Sequence, residues 1–225
     1  MKLHLAASVA LVCMSVTPAL AQTNVDAINK FSWSENCGFL NWRDGGSTVG
    51  TQGARIGFKI LSGFVWGENI GWIDLGDGTP ANGQQYANPT SGPVVGIPDF
   101  GVNRDPATNA LSGFAWGENV GWVNFSGGAL ATPAQPARFD PIAKRLRGYC
   151  WGENIGWINL DHSAVFVGMI FYPADFNGVN GVEVQDIFDF LAAWFAGDPR
   201  ANFNGANGIE VQDIFDFLAA WFAGC

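Results

Sequence analysis

The chain is 225 residues long and 48% apolar, with 11 Lys and Arg against 20 Asp and Glu, for a net charge of −9. That balance argues against a nucleic-acid binder, whose affinity rests on neutralising phosphates, and against an anionic membrane surface. It suits soluble protein partners and divalent cations.

At the N-terminus Lys2 precedes an apolar run from Leu3 to Val16. Pro18 breaks the run, and Ala19-Leu20-Ala21 gives a small-x-small cleavage pattern before Gln22. The run is too short to span a bilayer comfortably. Residues 1–21 therefore read as a secretory signal, and the mature chain as secreted or surface-bound, with no transmembrane segment. Three cysteines remain beyond it: Cys37, Cys150 and Cys225. In an exported chain an odd count implies one disulfide and one leftover thiol.

Internal repeats organise the rest. Gly63-Phe-Val-Trp-Gly-Glu-Asn-Ile-Gly-Trp-Ile-Asp-Leu75 recurs at Gly113–Phe125 and Gly148–Leu160, with a worn copy at Phe31–Trp42. Phe64, Val65 and Trp66 have the alternation of a strand, Gly67-Glu68-Asn69 has turn chemistry, and Trp72 to Leu75 resumes strand character. Upstream, Asp105-Pro106 and Asp140-Pro141 mark a further turn. Each unit thus reads as a three-stranded antiparallel meander, and four of them over 22–171 make a mainly β body. One meander cannot bury its aromatic face alone; four stacked or set in a ring can. The first copy lacks room for an opening strand, and the orphan apolar run Ala164–Phe171 could supply it and close the sheet. A Cys37–Cys150 disulfide would staple the first copy to the fourth.

The C-terminal segment carries a second repeat. Asp175–Gly197 recurs 27 residues on as Asn202–Gly224 with three differences: Asp175/Asn202, Val179/Ala206 and Val182/Ile209. Each copy is a Gly- and Asn-rich loop feeding a helix, the first predicted over Val184–Ala196 and capped by Gly197. Ile187, Phe188, Leu191, Trp194 and Phe195 fall at helical spacing and read as the core between the two helices; Phe190 and Phe217 lie off that stripe and read as available to a partner. Counted from Asp175, the oxygen-bearing positions 1, 3, 7, 9 and 12 are Asp175, Asn177, Gly181 (carbonyl), Glu183 and Asp186. The second loop offers Asn202, Asn204, Gly208, Glu210 and Asp213. This is the ligand spacing of a calcium loop leading into a helix. Val179 and Ala206 stand where position 5 normally holds a carboxylate, and Asn202 is neutral, so the second site is the weaker.

These tandem loop-helix segments resemble the dockerin family, and most closely the variant ending in Gly-Cys at the extreme C-terminus, here Phe222-Ala-Gly-Cys225. The resemblance covers about Asp175–Cys225, within a domain of residues 172–225. It implies a small all-α domain of two helices about a pseudo-twofold axis, calcium in the loops, and docking to a cohesin-like or other surface protein. In that setting Cys225 is an anchoring or processing point. The Trp-rich unit is similar to repeats in other bacterial surface proteins.

No enzyme signature accompanies these features. His162 is the one histidine outside the signal segment and has no motif around it. Glu35, Glu68, Glu118 and Glu153 recur in the same turn of every copy, which marks a turn residue rather than the carboxylate pair of a glycosidase. The sequence therefore predicts a structural or anchoring protein. The alternative is a carbohydrate-binding accessory protein of a polysaccharide-degrading system, with the repeated Trp-Gly-Glu-Asn stacking on sugar rings. Trp66, Trp72 and their equivalents are read first as repeat core and second as such a polysaccharide face.

Overall fold

In a computed structural model, residues 23–45, 52–88, 99–170, 172–178 and 182–223 are described, and each Trp-rich copy contains one tight hairpin. The first copy forms β1 (Val25–Ser34) and β2 (Gly38–Asn41). The second forms β3 (Arg55–Ile56), β4 (Leu61–Ser62), β5 (Phe64–Gly67) and β6 (Gly71–Asp74). The third forms β7 (Val102–Arg104), β8 (Leu111–Gly117) and β9 (Gly121–Asn124). The fourth forms β10 (Arg138–Asp140), β11 (Arg145–Arg147), β12 (Tyr149–Gly152) and β13 (Gly156–Asn159), and β14 (Val167–Met169) follows. The four hairpins join edge to edge, β2 to β5, β6 to β8 and β9 to β12. Strand β13 returns to β1 in the register Trp33↔Asn159 and Ser34↔Ile158. Eight strands thereby close into an antiparallel barrel that exposes no edge.

The opening strand of each meander lies antiparallel to the next: β3 on β4, β7 on β8, β10 on β11. For the first copy this place is filled from the far end of the body, since β14 pairs with β1 at Val25↔Met169 and Lys30↔Val167. The orphan strand does supply the missing one, but the barrel itself is closed by the hairpins. The same positions explain a repeated glycine. A Cβ on Gly63, Gly113 or Gly148 would stand 2.4, 2.3 or 2.2 Å from a carbonyl oxygen of its opening segment, and all three have φ between +78° and +86°. Only glycine suits that contact. The first copy holds Lys30 there, opposite β14 instead.

The barrel interior is built in layers of four, one residue from each copy. Leu40, Ile73, Val123 and Ile158 form one layer, and Trp42, Leu75, Phe125 and Leu160 another, all at most 3% exposed. Cys37, Ile70, Val120 and Ile155 cap the hairpin-tip end. The inward residues of the first strands are Ser32, Val65, Ala115 and Cys150. By the two-residue alternation of a strand, their Trp neighbours must face outward. This corrects the reading of the Trp residues as repeat core: none of Trp33, Trp66, Trp72, Trp116, Trp122, Trp151 or Trp157 belongs to the buried cluster.

The Glu-Asn turns also work differently from expectation. The left-handed residue in each is the following glycine (Gly38, Gly71, Gly121, Gly156), not the Asn. The Asn amides instead bridge copies. Asn36 donates to Ile155 O, Asn69 to Cys37 O, Asn119 to Ile70 O and Asn154 to Val120 O, at 3.0–3.3 Å. Each copy thus holds the one before it, and the first holds the fourth, so the bridges form a closed ring. This accounts for an Asn in all four turns.

Beyond the barrel lie two helices, α1 (Val184–Ala196) and α2 (Val211–Ala223). Gly197 caps α1 in the left-handed conformation, as the sequence predicts. No helix of the described residues is long and apolar enough to cross a membrane.

Candidate functional site

The two helices are related by an internal twofold. Trp194 Nε1 donates to Glu210 O at 3.0 Å, and its counterpart Trp221 Nε1 donates to Glu183 O at 2.8 Å. Each helix therefore binds the start of the other. At the centre Phe190 and Phe217, both 0% exposed, stack with centroids 4.2 Å apart and planes 4° apart. This corrects the sequence reading of the helix faces in part: Ile187, Leu191 and Trp194 pack against the core as predicted, while Phe188 and Phe195 exchange places with Phe190 and Phe217. Phe190 and Phe217 are the core, with Asp186 and Ala193 on the same face. Phe188 and Phe195 point outward, at 61% and 79% exposure. The helix is apolar on two opposite sides, and spacing alone does not say which side is inside.

Positions 3, 9 and 12 of each predicted calcium loop come together at the start of its helix, and no group of three or more His, Cys, Asp or Glu that could hold a metal stands among the described residues. Asp186 Oδ1 accepts the Asn177 N–H at 3.1 Å, and Oδ2 accepts the Glu183 N–H at 2.8 Å. Asp213 repeats this with Asn204 and Glu210 at 3.2 and 2.8 Å. Both carboxylates are fully buried, and burial pushes Asp186 above the usual carboxylate range against the pull of those N–H groups. They act as caps that tie loop to helix. Asn177 and Asn204 turn their amides toward Asp189 and Asp216, at 2.7 and 2.9 Å. Gly208 keeps a left-handed backbone at φ +83°, and so does Asn207 at +56°, the second-loop counterpart of Asn180. Asn180, Gly181, Cys225 and residues 1–21 lie outside the described residues.

A third group enters the first loop from β3, the short strand of the second copy that lies outside the eight-strand barrel. The Arg55 guanidinium pairs with the Asp175 carboxylate, and its Nε donates to Gly178 O at 3.2 Å. Burial lowers the guanidinium to about 10, against the opposing pull of Asp186 and Glu183, which leaves it charged at neutral pH. Among the described residues of the first loop, the Asp175 carboxylate pairs with Arg55 through one oxygen, while its other oxygen, Oδ1, is buried without a hydrogen-bond partner. Both oxygens of the position-12 carboxylate accept backbone N–H groups, and position 5 has no oxygen side chain. In the second loop Asp213 is likewise engaged. Asn202 Oδ1 is buried without a hydrogen-bond partner, so a neutral oxygen is all that position 1 offers.

On the barrel wall the outward aromatics form one cluster per hairpin. Trp66–Trp72, Trp116–Trp122 and Trp151–Trp157 face each other across the strands at 4.7–4.8 Å, and Trp33–Phe39 does so at 4.7 Å. Phe64, Phe114 and Tyr149 pack their rings against the second Trp of each of those pairs. Cys37 and Cys150 both point into the barrel interior as free thiols, raised by burial. Copies one and four are joined there by the β13–β1 ladder, so closure does not wait on a bond between them.

No family model, curated protein or solved structure matches this chain.

Proposed function

We propose that this is an exported attachment protein: a closed β-barrel scaffold whose dockerin-like helical pair holds a surface protein of cohesin-like character. What carries the reading is a pair of outward apolar ridges, Val184, Phe188 and Phe195 on α1 and Val211, Phe215 and Phe222 on α2. All six are between 56% and 79% exposed and repeat about the internal twofold. Large aromatics left in water at matched positions on both helices mark an interaction surface rather than a core. The loops are tied to their helices by the carboxylate caps of Asp186 and Asp213. Replacing Phe188 and Phe215 together with Ser is expected to release the protein from the cell envelope of its host into the medium without lowering its melting temperature. Retention equal to wild type would overturn the reading.

A second reading is favoured by the outward Trp pairs. Trp151 and Trp157, at 37% and 36% exposure, could stack on sugar rings, with the other hairpins adding weak sites around the barrel. Titrating the full-length chain with soluble polysaccharides should then quench Trp fluorescence, and Trp157→Ala should weaken the response several-fold. No response to any glycan would leave the wall as scaffold.

A further inference from the structure

Arg55 and Asp175 are 120 residues apart and belong to different repeat sets, yet their side chains are only 4% and 5% exposed and meet as an ion pair. The contact is built to be close. A Cβ on Gly57 would stand 2.8 Å from Gly178 O, and one on Gly178 would stand 2.7 Å from Phe58 N, so both chains are glycine where they touch. Beside the pair, Arg200 lays its guanidinium over Phe58 at 4.6 Å and Phe176 at 5.2 Å, one ring from each side of the junction. The sequence adds an independent observation. Of the three differences between the two loop-helix copies, the one that changes charge is Asp175/Asn202. The carboxylate stands in the loop that faces Arg55 and is missing from the loop that does not.

We propose that the first loop is a receptor for the Arg55 guanidinium, which supplies from β3 of the β body the cation that the Asp175 carboxylate and the Gly178 carbonyl gather around, and so fastens the helical pair to that body. The inference is independent of what the helical pair attaches to. A planar guanidinium offers several donors in a fixed fork and reaches a carboxylate and a carbonyl together. With both charges out of water, removing either one leaves the other buried without its ion-pair partner.

Hydrogen exchange on the full-length chain tests this. Arg55→Gln and Asp175→Asn are each expected to speed exchange in the first loop and α1 at least tenfold while the barrel hairpins keep their protection. The double variant should fall no further than the worse single one. Adding calcium chloride or a chelator should leave the wild-type pattern unchanged. Should Arg55→Gln disturb the barrel, Asp175→Asn, which lies outside it, carries the test. Wild-type exchange in Asp175→Asn, additive losses in the double variant, or calcium-dependent protection of the first loop would each overturn the proposal.

Discussion

Trp42→Ala is expected to destabilise the barrel by about 3–5 kcal/mol, the range for truncating a buried aromatic. Trp42 is 2% exposed and lies in the layer opposite the hairpin tips. Its ring meets Phe125 from the third copy edge-on, with centroids 6.3 Å apart, across the barrel interior. Its Nε1 donates to Ser32 Oγ at 2.9 Å, and Ser32 is fully buried. Alanine would open a void between opposed copies and leave that hydroxyl without its donor. Trp42→Phe separates the two effects, because it keeps most of the volume and loses only the hydrogen bond, at about 1–2 kcal/mol. Urea unfolding followed by far-ultraviolet circular dichroism reads both. Trp66→Ala is the contrast: its ring lies on the outer wall and its loss should cost markedly less. Equal costs for Trp42→Ala and Trp66→Ala would mean that the inner and outer faces have been assigned the wrong way round.

That pair of variants also marks where the sequence stopped being informative. The hairpins, their order and the filling of the first meander by the last strand follow from repeats and turn chemistry. The facing of each strand does not. In a unit such as Phe64-Val65-Trp66 both alternating sets are apolar, and a one-residue shift of facing exchanges them. What decides is volume. A closed barrel of eight short strands has room inside for Val65, Ala115 and Cys150, but not for three indoles at that level. The helices pose the same ambiguity, with apolar side chains on two opposite sides of α1. The Asn bridges were visible as a repeated residue, but their role depends on a neighbouring copy. Arg55 gave no local signal, since its partner is remote in sequence. The nearest hint was the charge difference between Asp175 and Asn202.

The helical pair gives the second large effect. Phe217→Ala is expected to cost about 3–5 kcal/mol and to strip hydrogen-exchange protection from both helices, whereas Phe215→Ala should change stability by less than about 0.5 kcal/mol. Phe217 is 0% exposed, stacked on Phe190 and met edge-on by Phe203 and Phe176 at 5.5 and 6.3 Å. Phe215, two residues earlier, is 61% exposed. If Phe215→Ala proved the more damaging, the outward ridge would be the core and the attachment surface would be lost with it. Phe190→Ala should remove the same stack and cost a similar amount, and the double variant should cost less than the sum, because the two rings share one contact. The internal symmetry breaks in one respect. The first loop is held by Arg55 and the second has no such partner among the described residues, so after either truncation α2 should lose its protection before α1 does.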